Sequence, residues 1–242
     1  LAPAIAAARM DVRGIAGESG RATAGRTFKT VRDGLVVLEV ALAFVLATAS
    51  ALVVREIVRL QRVETGIVAD RVLTMHVTPR MAAADYEAIE ARVSQVPGVR
   101  AAGFTQMLPL QNWGWDADFT IKGAAPDGVT RRAELRYVTP GYFDALGIPM
   151  VRGRALGPGD TERAPRVILI NQALARRYFA GRDPLGVELD RGRIVGIVGD
   201  VRQVALDRPA APEIYYPAAQ NLTMASDLGL TLVVSTSGEP QA

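Results

Sequence analysis

The stretch DGLVVLEVALAFVLATASALVVREIVRLQRVETG (residues 33–66) decides how the rest of the chain is read. Between Gly34 and Gly66 lie 31 residues without glycine or proline, and residues 35–54 carry one charge, Glu39. At about 1.5 Å per residue, those twenty residues span about 30 Å, the hydrocarbon thickness of a bilayer. A core helix of a soluble domain rarely stays apolar on every side for that long, so the segment reads as a transmembrane helix. ATASA (residues 47–51) offers small-residue cleavage sites, but apolar LVV follows them and 34 residues precede the run, which favours an anchor over a cleaved leader.

The next residues, REIVRLQRVET (55–65), would carry the same helix roughly 15 Å into water. Ile57, Leu60 and Val63 recur at three-residue spacing while Arg55, Arg59 and Arg62 take another face, the pattern of an amphipathic stalk. Within the span Glu39 shares a face with Ala43, Ala47 and Ala51, and small residues at four-residue spacing let a second membrane helix approach closely. That face is expected to pack on protein; a lone carboxylate is a weak basis for a proton relay. Basic residues do not orient the span, because Arg21, Arg26, Lys29 and Arg32 before it balance Arg55, Arg59, Arg62 and Arg71 after it.

Across 242 residues, 49% hydrophobic and 22% charged content describes a chain able to bury a core. The net charge of +3 sits at one end: residues 1–34 hold six Lys/Arg against three Asp/Glu, and the remainder holds 22 against 22. No basic face interleaved with aromatics is visible, so nucleic acid is not expected as a partner. The absence of cysteine removes disulfides and thiolate chemistry without fixing the compartment. A start on Leu1 suggests a piece of a longer protein.

After the stalk the pattern changes to that of a water-soluble mixed α/β domain. RVLTMHV (71–77) alternates as a strand, AADYEAIEARVSQV (83–96) places Tyr86, Ile89, Val93 and Val96 on one helical face, and PGVRAAGFTQM (97–107) turns into a second strand. TPGYFDALGI (139–148) reads as a short helix with Thr139 as N-cap, Pro140 at its first position and Gly147 past its end. RVILI (166–170) is a strand, Asn171 the N-cap of helix QALARRYFA (172–180), and Gly181 its C-terminal stop. RIVGIVGDV (193–201) is a strand with a turn at Gly199 and Asp200; DADFTIKG, RAELRYV and LTLVVSTSG complete the strands, with loops at LPLQNWGW and GPGDTERAP.

Catalytic readings fail on inventory. His76 is the single histidine and lies on a strand, so a Ser/His/Asp triad has no support. Asp116 and Asp118 lack a third acid, His or Cys, and fit a polar strand edge better than a metal site. GIAGESGRAT (14–23) lacks the spacing and lysine of a phosphate loop, and GIVGDVR (196–202) opens no apolar helix, so it reads as a turn. Neither a cofactor nor a metal is expected. Trp113 and Trp115 suit loop packing, with a partner contact as the alternative.

The order RDGLVVLEVALAFVL, LVVREIVRLQRVETG, ADRVLTMHV, VPGVRAAGFTQMLPL, TPGYFDALGIPMVRGRAL, VILINQALARRYFAGRDPLG, IVGIVGDVRQVALDRPAAPEIYYP and LVVSTSGEP resembles the MacB-like, FtsX-like periplasmic core region of ABC transporter permeases, in particular the second half of large duplicated bacterial permeases. The resemblance covers nearly the whole chain. It implies an α+β fold: one transmembrane helix with stalk, then a porter-like β-α-β part carrying an inserted Sabre-like part. Residues 1–33 would be a cytoplasmic linker, 34–66 the membrane helix and stalk, and 67–242 the periplasmic domain with its insertion at about 108–227. The resemblance also supplies the orientation, cytoplasmic before the helix and periplasmic after the stalk, in the bacterial inner membrane. By the same analogy the chain stops before the helix and strand that would close the porter part. The implied role is non-enzymatic, transmitting the work of a separate or linked cytoplasmic ATPase to the periplasmic side for export, with the unbroken 31-residue helix as a rigid lever and its stalk, residues 55–65 with Arg55, Arg59 and Arg62, coupling membrane to periplasmic motion. Its partners would be membrane lipid, other transmembrane helices of the parent permease, a cytoplasmic ABC ATPase and a second copy in a dimer. The alternative is a membrane-anchored extracytoplasmic binding or scaffolding domain without transport activity.

Overall fold

In a computed structural model, residues 21–77, 83–111, 115–124, 128–221 and 229–238 are described. They fall into two units, Leu1–Arg62 and Val63–Ala242.

The first unit is helix α1, Arg21–Gln61. Its apolar side chains find no cover: the large aliphatics and Phe44 between positions 35 and 54 are 51–71% exposed. The part Val31–Gln61 is long and apolar enough to cross a membrane, and 31 residues correspond to about 46 Å of helix. In lipid a hydroxyl needs an internal partner, and both within the span have one. Thr48 Oγ1 donates to Phe44 O at 3.0 Å and Ser50 Oγ to Leu46 O at 2.7 Å. Two boundaries differ from the sequence expectation. α1 continues through Gly34, where nothing lies within 4 Å; a helical glycine costs about 1 kcal/mol relative to alanine, too little to stop a long run of helix formers. It ends at Gln61 rather than at Thr65, so the unbroken 31-residue lever between the glycines is shortened and Arg62 lies in the turn after the helix. The Thr65 hydroxyl competes for the local backbone, accepting from Ile67 N–H at 3.4 Å and donating to Ile67 O at 3.2 Å. Gly66 then takes φ 83° and turns the chain.

The second unit is built on one ten-stranded sheet. Its strands are β1 Val72–Val77, β2 Val99–Thr105, β3 Asp116–Phe119, β4 Arg131–Val138, β5 Met150–Gly153, β6 Val167–Asn171, β7 Glu188–Leu189, β8 Gly192–Val198, β9 Glu213–Pro217 and β10 Leu230–Thr236. The order is β1-β10-β2-β4-β9-β6-β8-β5, with β3 beside β4 and β7 beside β8. β10 runs antiparallel to both β1 and β2, so the last described strand lies between the first two. The halves meet where β2 and β4 share one paired position, Thr105 with Val138. Gln106 N–H to Tyr137 O and Thr139 N–H to Phe104 O, both 3.0 Å, reinforce the seam.

Helix α2, Ala83–Ser94, and helix α4, Gln172–Tyr178, cover one face of the sheet; helix α3, Tyr142–Leu146, covers the other. α2 presents Tyr86, Ile89 and Val93 to Phe104, Leu232 and their neighbours, while Val96 lies past the helix end and is exposed. α3 starts later than expected, with Gly141 as its cap, because the Thr139 hydroxyl is already engaged by Phe104 N–H at 2.7 Å. Its end fits the expectation: Gly147 at φ 65° bonds back to Asp144 O and Ile148 to Phe143 O, a Schellman closure. Asn171 caps α4 as read, accepting from Leu174 N–H at 2.9 Å, and also holds Glu213 N–H at 3.0 Å and Ala211 O at 2.7 Å.

Candidate functional site

Residues 63–68, the first of the second unit, lie between α1 and β1 and are bonded to the rest of that unit. Thr65 O accepts from Arg202 N–H at 2.9 Å, and Glu64 O from Arg202 Nε at 3.2 Å. Val68 N–H donates to Leu146 O at 2.8 Å. A side chain at Gly66 would place Cβ 2.0 Å from Asp200 O, so the linker backbone lies directly on that peptide. Ile67 adds apolar packing against the cluster that contains buried Val201.

The receiving loop, Asp200 to Gln203, is itself braced. Asp200 accepts from Ala173 N–H at 2.7 Å and from Arg176, which ties it to the start of α4. The Arg202 guanidinium donates to Leu206 O at 3.0 Å and to Arg208 O. Gln203 O accepts Leu110 N–H at 2.7 Å, and its amide donates to Glu213 Oε2 at 3.2 Å. This last bond enters a buried polar cluster. Arg136 and Glu213, each 1% exposed, form an ion pair between the parallel strands β4 and β9. Glu213 Oε2 also receives the Tyr215 hydroxyl at 2.7 Å, and Arg136 Nη1 donates to Met107 O at 3.3 Å. Burial, the largest single effect, pulls the Arg136 pKa down, but the charge and hydrogen bond of Glu213 together with Tyr142 and Tyr215 outweigh it and hold the guanidinium above its ordinary value. Burial pushes the Tyr142 phenol up to about 12 and Tyr215 well above the usual tyrosine value, so both hydroxyls stay protonated. The linker is thus continuous, through one turn, with the buried Arg136–Glu213 cluster.

The residues singled out from sequence are dispersed. Glu39, Ala43, Ala47 and Ala51 are exposed on α1. Arg55 and Arg59 are exposed near its end, Arg59 pairing with Glu56 at 3.6 Å, and Arg62 N–H bonds to Arg59 O at 3.2 Å in the closing turn. Trp113 lies outside the described residues; Trp115 is 40% exposed, and its carbonyl accepts Leu135 N–H at 2.7 Å. Asp116 pairs with Arg132 at the strand edge, and His76 meets Thr231 Oγ1 at 3.1 Å. Among the described residues no group of three or more His, Asp or Glu is placed to hold a metal ion.

Arg202, Gly66 and the Arg136–Glu213 pair were not singled out by sequence. GIVGDVR did announce a turn, and Gly66 a break, but nothing in one dimension joins them.

The chain is similar to the periplasmic region of MacB from Actinobacillus actinomycetemcomitans, 15% identical, covering 73% of this chain and 79% of that one with a TM-score of 0.49. It is similar also to the extracellular domain of the noncanonic ABC-type transporter YknZ from Gram-positive bacteria, 15% identical, covering 68% and 82% with a TM-score of 0.43. No curated protein gives a significant match. Residues 34–241, the α1 apolar run and nearly all of the sheet-bearing unit, match the MacB-like periplasmic core domain, and the chain belongs to that family.

Proposed function

We propose that the chain is the permease component of an ABC-type transporter, in which ATPase action in the cytoplasm reaches a periplasmic domain through α1 and residues 63–68. Family membership makes it a transport-associated, non-catalytic membrane protein, with an apolar helix as anchor and the sheet-bearing unit in the periplasm. The observation that carries the finer reading is the fastening of the linker: a chain leaving a membrane helix, bonded at once through Arg202 and Leu146 and packed on the Asp200 peptide, passes displacement on instead of absorbing it. In this reading residues 1–33 are cytoplasmic and Arg55, Arg59 and Arg62 mark the exit from the membrane. The Glu39, Ala43, Ala47 and Ala51 face packs on other membrane helices of the parent permease. The strands on either side of the β2–β4 seam are the porter-like part and the insertion at about 108–227, and two copies work as a dimer.

An anchored binding or scaffolding domain is the second reading, favoured by the exposure of Trp115 at 40% and of Leu110 and Val204 at 43% each. In that reading Trp113 and Trp115 touch the partner. A Gly-Pro insertion between Arg59 and Leu60 in the parent permease separates the two. Coupling predicts transport lost to background with the periplasmic domain still folded; intact transport counts against coupling.

A further inference from the structure

A cleft of about 630 Å³ opens between the β7–β8 hairpin and the loop around Gly159 and Pro165 that precedes β6. That volume lies within the range of small-molecule sites. Five cations line it, Lys122, Arg154, Arg166, Arg191 and Arg193, against three acids, Asp160, Glu188 and Asp190, a surplus of two positive charges. Backbone contacts hold these cations together. Arg193 N–H donates to Arg166 O at 2.9 Å, and a Cβ on Gly192 would stand 3.2 Å from the carbonyl carbon and oxygen of Arg166, so the hairpin rests on the peptide just before β6. Lys122 N–H donates to Glu188 O at 2.9 Å, which brings the segment after β3 to the same place. Like charges gathered in this way repel, and an anion among them relieves the repulsion.

The acids do not take up the surplus. Asp160 is spent on Arg154, accepting from its two amino groups at 2.8 Å each, with Gly157 N–H at 2.9 Å. Glu188 is shared between Arg193 at 3.4 Å and Lys122 at 3.8 Å, and Asp190 lies 4.0 Å from Arg191. These five side chains are 35–59% exposed, and such long exposed pairs contribute little, so a ligand displaces them readily. Arg166 has no acidic partner among the described residues; its exposed guanidinium meets the neutral Asn221 Oδ1 at 3.5 Å.

We propose that this cleft binds a phosphate monoester, a dianion that matches the surplus of two, with the Arg166 and Arg193 guanidinium groups on its oxygens and Lys122 as the third cation. The planar arginine fork fits phosphate oxygens in pairs, and a monoester carries close to two negative charges above its second pKa of about 6. None of these residues belongs to the linker or its bonds, so the site does not depend on coupling. Glycerol 3-phosphate and the monoanionic diester dimethyl phosphate test it at about pH 7.5, by calorimetric titration of the full chain in phosphatidylcholine nanodiscs with empty nanodiscs subtracted. The monoester binds saturably and about tenfold or more tighter than the diester, and more weakly as salt is raised. Arg166→Gln weakens it about tenfold, whereas Arg182→Gln, the same change of net charge at an exposed position outside the cleft, leaves it unchanged. Glu188→Gln tightens it about two- to fivefold by releasing Lys122 and Arg193. Phosphatidic acid added to the nanodisc distinguishes the sources of the group: competition with glycerol 3-phosphate assigns a lipid headgroup and its absence a soluble ester, and both keep the phosphate monoester as the group bound. No saturable binding above empty nanodiscs, equal affinity for monoester and diester, equal losses in Arg166→Gln and Arg182→Gln, or weaker binding in Glu188→Gln would each overturn the proposal.

Discussion

Replacing Arg136 by methionine destabilises the periplasmic unit by about 3–5 kcal/mol, because it leaves Glu213 buried without its counter-charge. For a unit of this size that corresponds to a fall of roughly 6–20 °C in melting temperature. The loss comes from stranding one charge, not from the worth of the pair, and the double variant separates the two. Arg136→Met with Glu213→Leu removes both charges and recovers part of the loss. Recovery stays incomplete, since the Tyr215 hydroxyl and the Gln203 amide both rely on Glu213. Urea unfolding followed by near-ultraviolet circular dichroism measures both variants. Equal stability of the single variant and the unaltered chain would contradict the buried pair.

Gly66→Ala detaches the linker. At φ 83° any other residue is strained by about 1–2 kcal/mol, and its Cβ would stand 2.0 Å from Asp200 O, so the linker backbone has to move away. The bonds from Arg202 N–H to Thr65 O and from Val68 N–H to Leu146 O weaken with it. Amide exchange at those two positions then rises by roughly ten- to a hundredfold. The coupling proposal adds that transport by the parent permease falls in step, while the strands keep their protection. Gly159→Ala is the control, because nothing lies within 4 Å of a Cβ there. Unchanged exchange in Gly66→Ala would mean that the linker is not seated on the Asp200 peptide.

Local signals carried much of this fold. The apolar run announced α1, alternation announced β1, the sequence also read β2, β4 and β10 as strands, and Asn171 and Gly147 sat where their capping chemistry is used. The signals failed where tertiary contacts decide. β9, EIYYP, is buried at every position and flanked by prolines, so it shows no alternation; its order comes from pairing with β4 and β6. α1 runs on through Gly34 because one glycine is a weak breaker, and stops before Thr65 because that hydroxyl has a better local use. Arg136 and Glu213 are 77 residues apart, and only the parallel register of β4 and β9 brings them together. The clamp was partly visible as two turns, at Gly66 and at Asp200, but a turn does not name its partner.

Hydrogen exchange of individual amides in the full chain in lipid nanodiscs tests the central claim, that the linker after the membrane helix is fastened to the periplasmic unit. The amides of Arg202 and Val68 should exchange as slowly as those of strand β8, which follows from the bonds they make to Thr65 O at 2.9 Å and Leu146 O at 2.8 Å. Exchange at the rate of an exposed loop amide such as that of Arg163 would show a free linker, and the coupling account would fall with it.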